Sequence, residues 1–188
     1  MHATPFWIAA LTGAAALSGS VVTVLTSTLN DRRRLAHERR VRAEERQEAT
    51  AERRRTFERE NLLVAYDSLW FFLRESGEIH DVDRRTAETT EHGYGGTPLP
   101  VGVGDDLASG KQAIKTIRLI LDDDIRRMAL DTHAALSRVN ILGTSARLYG
   151  RGPVSSAEGN AAFLDAITKG EAALLAIADR IRKLIVEQ

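Results

Sequence analysis

The sequence predicts an all-α protein: an N-terminal transmembrane helix continuing into a long charged stalk helix, then an antiparallel helical bundle. Residues 6–29 carry no ionisable side chain, and residues 31–60 contain neither Gly nor Pro. Outside the apolar segment the chain is rich in Ala, Leu, Arg and Glu, and these residues favour helices over strands. We therefore expect three parts, namely an anchor at 1–30, a stalk at 31–56 and a bundle at 57–188 with a Gly/Pro loop at 93–104.

The apolar segment 6–29 is long enough to cross a membrane. At about 1.5 Å per residue its helix would reach about 36 Å, against about 30 Å for the hydrocarbon core. A cleaved secretory signal is the alternative, since residues 14–20 offer small side chains to a peptidase. No Lys or Arg precedes the segment, however, whereas a signal peptide carries positive charge there.

Charge predicts the orientation of the chain. Residues 31–60 hold 11 Arg against 8 acidic residues, whereas residues 61–188 hold 15 basic against 18 acidic ones. Positive charge directly after a membrane segment stays in the cytoplasm. We therefore expect the cell membrane as location, with the N-terminus outside and the C-terminal domain cytoplasmic. The predicted membrane-interface residues are Arg32, Arg33, Arg34, Arg39 and Arg40.

The partners predicted from this arrangement are the lipid bilayer and either a second copy or a cytoplasmic protein. The arginines suit anionic lipid head groups. Glutamates interrupt them and no aromatic residue is interleaved to stack bases, so we do not expect nucleic-acid binding. Small residues at four-residue spacing, such as Ala9 and Gly13, would allow two membrane helices to approach closely.

The stalk and the first bundle helix are predicted from spacing. Opposite charges four residues apart stabilise a solvated helix, and the stalk offers Arg34 with Glu38 and Arg54 with Glu58. From Phe57 the apolar residues recur every three or four positions, which indicates one buried face. Gly77 is a predicted end or kink. The apolar positions are Leu62, Leu63, Tyr66, Leu69, Trp70 and Leu73, with Phe71 and Phe72 widening the buried face.

Later helices are predicted from capping residues and apolar stripes. Asp105 or Asp106 would cap a helix that buries Leu107, Ile114, Ile117 and Leu121. Asp122 to Asp124 would open a helix over 125–148, because acidic side chains favour first turns. Ser155 with Glu158 forms a capping-box pattern before the last helix. The predicted stripe of the 125–148 helix is Ile125, Met128, Ala129, Ala135, Leu136, Val139 and Leu142.

No catalytic residues, cofactor or metal site are predicted. The chain has no Cys, which excludes disulfides and thiolate chemistry. The densest set of potential ligands lies at 78–92 and includes His80, Asp81, Asp83 and His92. Its spacing fits no metalloprotease motif, so a small metal- or ligand-binding domain built on it is the alternative and not the first hypothesis. His133 is expected to be a partly buried structural residue.

The chain also resembles a family. The run DRRRLAHERRVRAEERQEATAERRRTFERENLLVAYDSLWFFL and the later run KTIRLILDDDIRRMALDTHAALSRV resemble a group of small single-span actinobacterial membrane proteins. Some of them are labelled Kil-type plasmid spread or transfer proteins. The resemblance implies a helical cytoplasmic domain on a single span and a link to plasmid transfer, without site residues.

Together these observations predict a single-pass, membrane-anchored interaction or scaffold protein that is not an enzyme. The metal- or ligand-binding domain is one alternative. The other is a membrane-active protein whose production inhibits growth.

Overall fold

The computed structural model describes the backbone of residues 5–98 and 108–186, and the side chains of residues 32–98 and 109–186. These residues form five helices and no strand, which confirms the all-α prediction. The helices are α1 (Pro5–Thr89), α2 (Ala108–Ile117), α3 (Asp123–Asn140), α4 (Leu142–Leu148) and α5 (Ser156–Val186). Predicted features at 99–107, including the Asp105 or Asp106 cap and Leu107, lie outside the described residues.

The chain divides into two compact units, residues 1–53 and 54–188. In the first unit only α1 is described, and the side chains of its predicted membrane segment, 6–29, lie outside the described residues. Among the residues that are described, no helix combines the length and the apolar character needed to cross a bilayer. The predicted pair Arg34 and Glu38 forms, with Nε 3.0 Å from Oε1.

The second unit is a helical bundle around one main apolar core. Its centre consists of side chains with almost no exposed surface, from α1, α2, α3, α5 and the segment between α2 and α3. Since buried apolar area dominates the stability of such a bundle, these residues hold the four helices together. The central residues are Leu62, Leu69, Phe72, Ile117, Ile120, Leu136, Ile177 and Leu184.

The prediction that a helix could end at Gly77 is wrong, because α1 continues to Thr89. A Cβ at Gly77 would lie 3.6 Å from Phe163, which is an ordinary van der Waals distance. The packing of α1 against α5 therefore does not require a glycine at this position. Ile79, His80 and Asp83 beyond it are buried. Packing of these side chains explains why the helix continues through a residue of low helix propensity.

The predicted helix 125–148 is interrupted, because α3 ends at Asn140 and α4 begins at Leu142. The backbone of Tyr94 and Gly95 passes directly over Gly143, where a Cβ would lie 2.0 Å from the Tyr94 carbonyl oxygen. Five of the seven residues of the predicted apolar stripe are buried, and Met128 and Leu142 are partly buried. The five buried residues are Ile125, Ala129, Ala135, Leu136 and Val139.

Two predicted helix caps are confirmed. The Asp122 carboxylate accepts hydrogen bonds from the backbone N–H groups of Asp124 and Ile125, each 3.0 Å long. The Ser155 hydroxyl accepts from the N–H of Glu158 at 3.1 Å. Each cap joins residues at most three positions apart, so the order of residues in the sequence is enough to predict it.

Candidate functional site

The five predicted membrane-interface arginines are all exposed on the surface of α1. Arg34 is in the ion pair with Glu38, and both side chains keep contact with solvent. An exposed pair of this kind contributes at most a few tenths of a kcal/mol to stability. The guanidinium groups are therefore accessible to anionic partners. The residues are Arg32, Arg33, Arg34, Arg39 and Arg40.

The predicted cluster at 78–92 is divided between the interior and the surface. His80 and Asp83 are buried, whereas Asp81, Glu91 and His92 are exposed. Within the described part of the chain, no three His, Asp or Glu side chains are grouped so that they could hold a metal ion. The residues of this cluster therefore do not converge on one point, and the two buried members belong to a different arrangement.

That arrangement is centred on Tyr94, which is only 1% exposed. Its hydroxyl lies 2.8 Å from Nδ1 of His80, and its backbone N–H donates to the Val154 carbonyl, also at 2.8 Å. Gly93 and Gly95 on either side have positive φ angles of 72° and 64°, a region that favours glycine. The two glycines thus let the chain turn sharply and insert one aromatic ring into the bundle.

The Tyr94 ring and the His80 ring are both held by α5. A Cβ at Gly159 would lie only 2.3 Å from the Tyr94 ring, so the glycine makes room for it. The His80 imidazole stacks on Phe163 with 4.0 Å between ring centroids and 13° between planes. Sequence reasoning missed Tyr94. The only signal was an aromatic residue between glycines inside a predicted loop.

Arg147 of α4 fixes the same loop from outside. Its guanidinium donates to the carbonyl oxygens of Gly95, at 3.1 Å, and Gly96. Asp83 lies beneath the loop, and a Cβ at Gly95 would lie 3.5 Å from its carboxylate Oδ2. The loop therefore lies between a positive side chain, which binds it, and a buried carboxyl group.

Burial controls the charge of this cluster. Loss of hydration raises the pKa of Asp83 to about 6, although the positive charge of Arg147 opposes the shift. Burial lowers the pKa of His80, and the neighbouring charge of Asp81 partly offsets that effect. Burial also raises the pKa of Tyr94. At neutral pH the histidine and the tyrosine are therefore neutral, and Asp83 is the group that exchanges a proton just below neutrality.

The cluster has little room for a substrate. His80 is 6% exposed and Asp83 is 4% exposed. The Tyr94 and Phe163 rings both pack against the His80 imidazole. The arrangement can hold a loop in place and bind a proton, so we assign it a structural role.

A second unusual feature is an exposed apolar line on α1. Phe57, Val64 and Phe71 recur every seven residues and are 49%, 49% and 55% exposed. We call these three residues the α1 ridge. Leu63 and Trp70 beside it are also exposed, and the Trp70 and Phe71 rings meet edge to face at 5.4 Å.

The α1 ridge corrects the predicted buried face of this helix. Leu62, Leu69 and Phe72 are buried and Tyr66 and Leu73 are partly buried, as expected. Leu63, Trp70 and Phe71, which were assigned to the core, face solvent instead. The helix is apolar on two sides, and the neighbouring helices cover only one of them. Sequence periodicity could not tell which apolar residues would be covered.

An open groove adjoins the α1 ridge at Phe71. Its volume is about 480 Å³, and α1 and the start of α2 line it. Polar groups border it, among them Arg74, Glu78 and a hydrogen bond from Ser109 to Glu75. The ridge and groove together form an apolar surface with a polar edge, which is typical of protein interaction sites.

Comparison of the chain with known proteins gives no match to a family model, to a curated protein or to a solved structure.

Proposed function

We propose that this chain is a membrane-anchored, non-enzymatic interaction protein that binds a second copy of itself through the α1 ridge. The observation that carries the proposal is the exposure of Phe57, Val64 and Phe71 on one side of a helix whose other side is buried. Large apolar side chains in such a line lose contact with water only when another surface covers them.

The seven-residue spacing supports a helix as the covering surface. Two parallel helices contact each other through apolar side chains that repeat about every 3.5 residues. Phe57, Val64 and Phe71 supply one such position in three successive heptads. None of these three residues is charged, so two ridges can approach along this line without repulsion between like charges.

A second copy suits this surface because the anchor would bring copies together. Residues 6–29 lack ionisable side chains and exposed arginines follow them, which supports insertion with the arginines on the cytoplasmic side. Two copies inserted in one bilayer have their α1 helices pointing the same way. Confinement of both to one membrane raises their effective concentration and so favours a pair that would be weak in solution.

The test uses the absence of cysteine from the chain. A Val64→Cys variant of the full chain, oxidised mildly in native membranes, is expected to form a disulfide-linked dimer. The matched control is Leu175→Cys on α5, where the leucine is 63% exposed but outside the ridge. Cross-linking at position 175 that equals or exceeds cross-linking at position 64 would contradict the proposal.

A second variant distinguishes a specific contact at the α1 ridge from random collision between two copies in the membrane. Phe71→Asp places a charge on the ridge without touching the buried core, and we expect it to reduce the Val64→Cys dimer at least fivefold. Leu175→Asp, combined with Val64→Cys, should leave the dimer unchanged. Equal dimer yields from the two combinations would show that the ridge does not mediate the contact.

Membrane orientation is tested independently with a protease-sensitive tag at each end of the full chain. A membrane-impermeant protease applied to whole cells should remove the N-terminal tag alone. Removal or release of the C-terminal tag would mean that the helical domain is exported.

The proposed link to plasmid transfer rests on the resemblance described above. Growth arrest on overproduction that requires residues 1–30 would support a growth-inhibitory role instead.

A further inference from the structure

A pocket of about 220 Å³ lies where α1, α2 and α3 meet, and it shares no residue with the α1 ridge. Its wall is mostly apolar, which is typical of sites for small molecules. Phe72 and Gly110 line it but are buried, so a ligand meets chiefly the residues that keep exposed surface. These residues are Lys111, Ile114, His133, Ser137, Asn140 and Ile141.

The two helices on either side of the pocket are joined beside it. The imidazole of His133 on α3 has its Nε2 atom 2.9 Å from the carbonyl oxygen of Gly110 on α2. Because a carbonyl oxygen only accepts, Nε2 donates this hydrogen bond. The bond fixes the separation of α2 and α3 at the pocket, so the pocket is formed before a ligand binds.

Two isoleucines give the pocket an apolar edge that solvent reaches. Ile141, directly after α3, is 51% exposed, and Ile114 of α2 is half-buried. Contact of these side chains with water is unfavourable, and an apolar group bound in the pocket would remove part of it. An apolar cavity of about 150 Å³ takes benzene, so this pocket has room for about six to nine carbon atoms.

Lys111 places a positive charge at this apolar edge. Among the described residues that line the pocket it is the only Lys, Arg, Asp or Glu. Its side chain is exposed and forms no ion pair with any residue that the structure describes. A lysine can cover apolar surface with its alkyl stem while its ammonium group stays in water. The ammonium group is therefore available to an anion bound at the mouth of the pocket.

From these features we infer that the pocket binds a small carboxylic acid whose apolar part is one ring or a short chain. The apolar part contacts Ile114 and Ile141, and the carboxylate pairs with the ammonium group of Lys111. Water partly screens such a pair, so its contribution to affinity is modest and decreases with salt. Both parts of the ligand are needed, because a bare anion buries no apolar surface and a neutral analogue forms no ion pair.

Three probes separate these contributions, namely 4-methylbenzoate, 4-methylbenzamide and acetate. The first two have nearly the same shape and only the benzoate is charged at pH 7, whereas acetate has the charge without the ring. Binding to the full chain in nanodiscs of zwitterionic lipid is followed through the methyl NMR signals of Ile114 and Ile141. The free concentration of each probe is measured in the aqueous phase after dialysis, so that partition into lipid does not count as binding.

We expect 4-methylbenzoate to bind at least threefold more tightly than the amide at low salt, and this preference should shrink at high salt. Acetate should cause no saturable shift. Equal affinities of the unmodified chain for the benzoate and the amide would overturn the inference. So would acetate binding as tight as that of the benzoate, or the absence of any saturable shift with the benzoate.

Two lysine variants identify the charge. Lys111→Met keeps most of the alkyl stem and removes the ammonium group, so it should abolish the preference for the benzoate and leave binding of the amide unchanged. Lys115→Met, one turn further along α2, is the matched control, because Lys115 is also exposed but does not line the pocket. A benzoate preference that survives Lys111→Met, or one that Lys115→Met reduces equally, would contradict the assigned role of Lys111.

A third variant locates the ring. Ile141→Ala shortens the apolar edge at an exposed position, and the methyl signals of Ile114 still report binding. It should weaken 4-methylbenzoate and 4-methylbenzamide by a similar factor, at least twofold. Unchanged affinities for both would mean that the ring binds elsewhere.

Discussion

Glu58 of α1 and Arg180 of α5 form an ion pair that joins the first and last helices of the bundle, with Nε 2.7 Å from Oε1. Glu58 is buried, whereas the Arg180 side chain keeps about 29% of its surface. The sequence predicted Arg54, one turn earlier on α1, as the partner of Glu58. The long-range pair forms because α5 packs on the face of α1 that contains Glu58.

Removal of Arg180 should therefore destabilise the bundle more than removal of a surface arginine. Arg180→Met is expected to lower the free energy of unfolding by roughly 2 kcal/mol, because it leaves the Glu58 carboxylate buried without its ion-pair partner. Arg182→Met, which breaks an exposed pair with Asp179, should change it by less than about 0.5 kcal/mol. Chemical denaturation of the full chain in mild detergent measures both.

The double variant Glu58→Gln, Arg180→Met checks the cause of the loss. Without a charge at position 58, loss of Arg180 should cost less, giving a coupling energy of about 1 kcal/mol or more. Additive effects of the two substitutions would mean that the arginine stabilises the bundle by packing alone.

Two helical glycines are expected to respond in opposite ways to the same substitution. Gly159→Ala should destabilise the bundle by about 2 kcal/mol, because the new methyl group would overlap the Tyr94 ring, which its hydroxyl and backbone hold in place. Gly77→Ala should stabilise it by about 0.5–1 kcal/mol, since the methyl group meets Phe163 at an ordinary distance and alanine favours helix. Thermal unfolding of both variants measures the two effects, and a Gly159→Ala variant that is as stable as the unmodified chain would contradict the assigned role of Gly159.

The features that the sequence predicted correctly are those that depend on a few neighbouring residues. The caps at Asp122 and Ser155 and the buried stripe of α3 follow from spacing along one helix. The insertion of Tyr94 depends on Gly143 and Gly159, which are 49 and 65 positions away and carry no local signal. Periodicity alone could not show which apolar side of α1 the other helices cover, so the α1 ridge was also missed.

Tyr94 should contribute to stability through its hydroxyl as well as its ring. Tyr94→Phe keeps the ring but leaves Nδ1 of the buried His80 without the hydroxyl, and we expect a loss of about 1 kcal/mol. Tyr149→Phe is the matched control, because that tyrosine is 78% exposed and its hydroxyl should contribute nothing measurable. Equal unfolding midpoints for the two variants would show that the bond to His80 has no net effect.

Asp83 should make the stability of the bundle depend on pH. Its pKa is raised from 3.8 to about 6 in the folded chain, so the folded state binds a proton more tightly than the unfolded state. Stability should therefore fall as the pH rises from about 4 to about 6, and the full cost is present above that range. A shift of about two pKa units corresponds to at most about 3 kcal/mol.

Asp83→Asn removes this titration and should stabilise the bundle at pH 8 by up to about 3 kcal/mol, with little change at pH 4. His80 has a lowered pKa, so its contribution has the opposite sign and is lost as the pH falls below about 6.5. The His80 contribution is present in both the Asp83→Asn variant and the unmodified chain, so it cancels when their stabilities are compared. Asp67→Asn, on the exposed side of the same helix and away from this cluster, is the control and should produce no such pH-dependent gain. If the difference between the Asp83→Asn variant and the unmodified chain is the same at both pH values, the buried carboxylate is not the source of the pH dependence.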